Sequence, residues 1–203
     1  MGTRKILEKH YLHRINPTDK GHIILDWESE DAHLGRFSIV TDTLDLSGMS
    51  ILDVGCGVGD FFDFLKPRVP DISYTGIDIL PEMIQEARRR YPEGTFLSGD
   101  MISTRMFDDC TFDLVFSSGI FNLNMGFNEQ FLNKALEVFF SIAKHWVVFN
   151  MLDPDHPVQS KTYFYLDPSR TEELVRRYTD HMWIERDYVP KDYTIFAQKQ
   201  TVS

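Results

Sequence analysis

The chain has 203 residues, 42% of them hydrophobic, a formal net charge of −10 and two cysteines. That length suits one domain around a single core, the acidity argues against a general nucleic-acid binder, DNA included, and the cysteines give neither a disulfide framework nor a zinc site. The opening Met1-Gly2-Thr3-Arg4-Lys5 lacks an apolar signal core and no apolar run approaches membrane-spanning length, so the expectation is a cytoplasmic protein without a membrane partner or a metal.

Residues 1–25 mix basic, aromatic and histidine residues. His10, His13, His22 and His33 lack a partnering carboxylate or cysteine at ligand spacing and read as surface histidines. The acids of Asp26-Trp27-Glu28-Ser29-Glu30-Asp31 open a helix in which Leu34, Phe37, Val40 and Leu44 recur at helical spacing until Ser47-Gly48. Arg36 lies on another side of it and has two open readings, a surface ion pair or a contact to a ligand carboxylate. Residues 1–49 are thus expected to form a helical cap, and residues 50–200 the core.

The core opens on Ser50-Ile51-Leu52-Asp53-Val54-Gly55-Cys56-Gly57-Val58-Gly59-Asp60, a buried strand, a glycine turn and a helix start. Gly55 and Gly57, lacking Cβ, let the backbone lie against a ligand. The dinucleotide fingerprint requires a glycine where Asp60 stands, and a carboxylate there opposes a pyrophosphate at the helix N-terminus. Asp53 and Asp60 together suit a ligand without phosphate that carries an ammonium and a sulfonium. After a Pro67 and Pro70-Asp71 turn, residues 72–77 form a second strand ending at Asp78, and Pro81 to Tyr91 a helix with Met83, Ile84 and Ala87 inward. Arg88-Arg89-Arg90 reads as its solvated end.

Phe96-Leu97 is a third strand, followed by Gly99-Asp100. Phe112 to Ser117 is a fourth, apolar enough to be covered on both faces. Residues just beyond it, Ser117 to Asn122, face the reacting centre, with Phe121 and Asn122 as substrate-facing candidates. An amphipathic helix over 128–144 precedes a fifth strand at 145–149. The link from Leu152 to Leu166, with Pro154, Pro157 and Tyr163-Phe164-Tyr165, is long enough to be a lid. Ser169-Arg170-Thr171-Glu172 forms a capping box opening a helix to about Asp180, and residues 183–188 and 193–199 close the chain as a hairpin.

Asp53-Val54-Gly55-Cys56-Gly57-Val58-Gly59 resembles the first motif of class I S-adenosylmethionine methyltransferases, [D/E]-x-G-x-G-x-G. Tyr74-Thr75-Gly76-Ile77-Asp78, Phe96 to Met101 and Phe112 to Ser118 are similar to the next three strands. The likeness covers about residue 46 to 199. It implies a doubly wound α/β fold with seven strands, mainly parallel, the last antiparallel, and S-adenosylmethionine as cofactor. Its implied cofactor contacts are Asp53, Gly55, Gly57, Asp78 on the ribose hydroxyls, Ile79 and Met83 on the adenine or in the core, Asp100 on the adenine amino group, Met101, Ser117 and, on one of its two readings, Arg36. The Asn/Asp-Pro-Pro-aromatic tetrad of base N-methylating relatives is absent, so the expected acceptor is a small molecule. A non-catalytic cofactor-binding subunit and an RNA or protein acceptor are the alternatives. No catalytic base and no oligomeric state follow from the sequence.

Overall fold

The structure, a computed structural model, describes residues 2–155 and 159–200. Seven strands form one sheet: β1 (Ser50–Val54), β2 (Ser73–Asp78), β3 (Thr95–Ser98), β4 (Phe112–Ser117), β5 (Ala143–Leu152), β6 (Met182–Glu185) and β7 (Asp192–Gln198). Their spatial order is β3-β2-β1-β4-β5-β7-β6. The pairs from β3 to β5 are parallel, and β7 runs antiparallel to both β5 and β6. The strand order reverses at β1, flanked by β2 and β4, where open α/β sheets place their ligands.

Alternation along the strands divides the core. Ile51, Leu114, Phe116, Val148 and Phe196 face one side, with α3 (Glu30–Thr43), α4 (Asp60–Leu65) and α5 (Pro81–Arg90). Leu52, Val54, Val115, Val147 and Phe149 face the other, with α6 (Asn128–Ile142) and α7 (Pro168–Val175). The period-two pattern places a covered apolar face on each side of the sheet. Phe37 anchors α3, its ring 5.0 Å from Phe61 and 5.6 Å from Phe64. Removing such a buried ring costs about 3–5 kcal/mol.

The remaining helices, α1 (Thr3–Tyr11) and the single turn α2 (Gly21–Ile24), lie over the carboxyl ends of the strands. Leu7, Tyr11, Ile15 and Leu25 pack there against Ile24, Val58, Leu80 and Met83. No helix among the described residues is long and apolar enough to cross a membrane.

Several local expectations change. Ser29 caps α3, its Oγ accepting from Ala32 N at 3.1 Å, and Leu34 is exposed while His33 and Arg36 are buried. Contacts from the cap decide which face of α3 is covered, and the heptad-like spacing does not register them. His33 is therefore not a surface histidine: its Nε2 sits 2.9 Å from Asp60 Oδ2. The arginine run is not a free helix end either. Arg89 donates to Pro17 O at 3.0 Å and Arg90 to Asp19 O at 2.8 Å, and both hold Glu86, whose carboxyl is pulled down to about 2 by those arginines. Asp167, not Ser169, caps α7, with Oδ1 accepting from Ser169 N at 2.8 Å, and the helix ends at Val175. β5 starts at Ala143 and runs to Leu152, longer than read. Pro157, part of the long link, lies outside the described residues.

Candidate functional site

Between β1 and α4 the backbone turns through three left-handed glycines, Gly55 (φ 76°), Gly57 (φ 54°) and Gly59 (φ 91°). Gly55 N and Cys56 N donate to Ile77 O at 2.8 and 3.1 Å, tying the turn to the end of β2. Two glycines lack a Cβ for a second reason. A Cβ on Gly57 would stand 2.7 Å from Leu25 Cδ2, and one on Gly55 would run into the Ile120 side chain. A side chain at either position would have to displace Leu25 or Ile120, besides taking a left-handed backbone.

Asp78 ends β2. Its Oδ2 accepts from Gly57 N at 3.1 Å and its Oδ1 from Leu80 N at 2.8 Å, which fixes the carboxylate beside the turn. Burial raises its pKa to about 6 against those amide bonds. Asp100, past the end of β3, accepts from Ser103 N at 3.0 Å.

Gly55, Gly57, Asp78, Ile79, Met83, Asp100 and Met101 all line one cleft, with about 910 Å³ of atom-free space. Its far wall comes from the cap, through Leu7, Tyr11, Leu25 and Trp27, and from Ser118, Gly119 and Ile120 after β4.

The other expected residues lie elsewhere, for identifiable reasons. Ser117 Oγ donates to Val54 O at 2.9 Å and stitches β4 to β1, so the next residue, Ser118, faces the cleft, and its buried Oγ has no partner. Asp53 lies beneath the turn and accepts from Tyr74 OH at 2.6 Å. Burial is the main cause that raises its pKa to about 7. It lines a small recess with Trp27, His33, Asp60 and Ser118, where Trp27 Nε1 and His33 Nδ1 are also buried without partners. Arg36 does not reach the cleft. It pairs with Asp192 at the start of β7, donates to Ala32 O, and lies over the Trp27 ring, 3.9 Å from its centroid. Phe121 belongs to the core, its ring 5.5 Å from Phe149 and 5.8 Å from Phe131.

Asn122 lines a second cavity, with about 1000 Å³ of atom-free space, that shares Tyr11, Leu25, Trp27 and Gly119 with the cleft. Tyr163 and Tyr165, from the link after β5, close it. Asp26 joins the two coverings: it holds Arg14 at 2.8 Å and His10 at 3.0 Å from the cap, and accepts from Tyr163 OH at 2.9 Å. Asp26 itself takes φ 61°, a strained value for a non-glycine residue.

A Mycobacterium tuberculosis H37Rv protein with a provisional methyltransferase designation is 30% identical over 157 residues, 74% of this chain and 93% of that relative. This chain belongs to the methyltransferase family. A family model described as a methyltransferase domain matches residues 51–144, from β1 to the start of β5. The phthiotriol/phenolphthiotriol dimycocerosates methyltransferase of Mycobacterium leprae is 29% identical over 117 residues, 57% of this chain; the match spans 43% of that longer relative. Among solved structures, magnesium protoporphyrin IX methyltransferase from Synechocystis PCC 6803 with bound SAM superposes with a TM-score of 0.66 at 13% identity, over 98% of both chains, a likeness of fold. That neighbour holds SAM on the same fold. The chain's residues fit that cofactor: a glycine cradle that a Cβ would fill, two carboxylates at the strand ends, and orphaned polar atoms on Ser118 and His33 beside Asp53.

Proposed function

We propose that this methyltransferase transfers the methyl group to a small-molecule acceptor, in the cytoplasm, with residues 1–49 acting as a cap on a 50–200 core in one catalytic domain. The observation that carries the reading is the convergence of Gly55, Gly57, Asp78 and Asp100 on one cleft that shares lining residues with an aromatic cavity. S-adenosylmethionine, when bound, supplies a methyl group activated by its sulfonium. Asp78 would accept from the ribose hydroxyls, Ile79, Met83 and Met101 would enclose the adenine, and Asp100 would accept from its amino group. Ser118, His33 and Asp53 would hold the amino-acid end, in place of the Arg36 contact expected from the sequence. Gly55 and Gly57 leave the backbone open for close approach, and the cap excludes water, which strengthens the electrostatics of the enclosed site. Orientation of acceptor against donor supplies much of the catalysis in such displacements, up to roughly 7–11 kcal/mol.

A low-mass acceptor is supported by the second cavity under Tyr163 and Tyr165 and by the chain's net charge of −10, which opposes binding to RNA. Incubating the protein with methyl-labelled S-adenosylmethionine and fractionated cell extract tests the reading. Label in the low-mass filtrate is expected. Label retained on RNA or protein would replace this acceptor class, and cofactor binding without transfer in any fraction would favour a non-catalytic subunit.

A further inference from the structure

The second cavity carries information about the acceptor's chemistry. Its acids are already spent: Asp26 is held by Arg14, His10 and Tyr163, and Glu28 by Lys191 at 3.0 Å. Its buried donors are not. Arg36, 5% exposed, uses Nη1 on Ala32 O and Nη2 on Asp192, and its Nε has no partner. Asn122, 6% exposed, leaves its side-chain oxygen unpartnered, and its amide can present either end. The unpartnered guanidinium nitrogen of Arg36 fits an anion, since an unsatisfied buried polar group is costly until a ligand pairs it.

Among the described residues the cavity also lacks a ready base. Burial raises the pKa of Tyr163 to about 12 and pushes that of Tyr11 higher still, and the Asp26 carboxylate is saturated. Asp192, which neutralises Arg36, has its pKa raised to about 7 by burial, so it sheds its charge readily when another anion takes the guanidinium.

We infer that the acceptor is a carboxylic acid on an aromatic or alkyl body, bound through Arg36 and Asn122 and methylated on oxygen. This rests on the assignment of the neighbouring cleft to the methyl donor. The carboxylate oxygen forms the new C–O bond as the S–CH3 bond breaks and its electron pair passes to sulfur. A methyl ester and a neutral thioether result, and no proton has to be removed. Tyr11, Tyr163, Tyr165 and Leu152 supply the apolar and aromatic surface for the body.

A matched trio tests the claim: 3-phenylpropionate, 3-phenylpropylamine and 3-phenylpropanol, titrated calorimetrically into protein saturated with S-adenosylhomocysteine. The acid is expected to bind at least tenfold tighter than the amine and the alcohol. Asn122→Asp, which places a carboxylate at the cavity wall, is expected to weaken the acid at least tenfold while S-adenosylhomocysteine affinity stays unchanged. Arg36→Met is expected to do the same, and pairing it with Asp192→Asn keeps the measurement interpretable if the single variant does not fold. Equal or tighter binding of the amine or alcohol, no binding of the acid at millimolar concentration, or an acid affinity unmoved in Asn122→Asp would each overturn the inference. Failure of S-adenosylhomocysteine itself to bind would instead overturn the donor-site assignment beneath it.

Discussion

The glycine turn and the cap above it form opposite walls of one cleft and are held in different ways. The turn is fixed by short-range backbone geometry: left-handed glycines, amide bonds to Ile77 O, and the Asp78 carboxylate bridging Gly57 N and Leu80 N. The part of the cap before α3 is fixed by long-range polar ties, Arg89 to Pro17, Arg90 to Asp19 and the Asp26 junction, over a small apolar contact. A wall built of backbone is rigid; one held by side-chain ties at its edges is able to open, since surface-held segments have low local stability. The rigid wall therefore suits the part of the reaction common to the family, and the cap suits what differs between acceptors.

The sharpest way to break the comparison is at the turn. Gly57→Val places a branched side chain at φ 54° and 2.7 Å from Leu25 even at its Cβ, so donor affinity should fall more than a hundredfold, measured calorimetrically with the fold checked by circular dichroism. Next in size is Asp78→Ala. Two hydrogen bonds to a charged acceptor contribute roughly 1.5–3 kcal/mol each, which predicts a loss of about a hundredfold in S-adenosylmethionine affinity at the low end of that range. The wild-type protein should show the same dependence through pH. Burial raises the Asp78 pKa to about 6, and hydroxyl donors prefer the ionised form, so affinity should be flat above pH 7 and decline as pH falls through about 6.

How far each wall was legible follows from the same difference. That Gly55, Gly57, Asp78 and Asp100 share one cleft was legible, because it depends on positions within a few residues of a strand end. Phe121 was misplaced because one residue of rotation in the turn after β4 sends it to the core beside Phe149 and leaves Asn122 at the cavity. Ser118, and not the expected Ser117, faces the cleft. Arg36 and His33 depended on partners far away in sequence, Asp192 and Asp60, which no local pattern contains. The arginine run was misread likewise, since its partners Pro17 and Asp19 lie some seventy residues earlier.

A milder test loosens the cap alone. Asp26→Ala removes the ties to His10, Arg14 and Tyr163, so amides of residues 3–14 should exchange hydrogen several-fold faster while those of β1 and β4 stay protected. Equal exchange in the variant would mean that the apolar contact holds the cap unaided. The smallest effect concerns stability at the base of the turn. The Asp53 pKa is raised to about 7 in the fold against 3.8, so its ionised form opposes folding; the penalty is absent below about pH 4, grows through the interval and is complete above pH 7. Asp53→Asn, still able to accept from Tyr74, should raise Tm at pH 8 by roughly 2–8 °C, as about 1–2 kcal/mol does at this chain length, and leave it unchanged at pH 4.

Calorimetric titration of the wild-type protein with S-adenosylmethionine and, separately, with NAD tests the central claim most directly, because Asp60 stands where a dinucleotide fingerprint requires glycine. One equivalent of S-adenosylmethionine bound per chain, with no heat from NAD, is the predicted result. Binding of NAD, or no binding of S-adenosylmethionine by folded protein, would contradict the account.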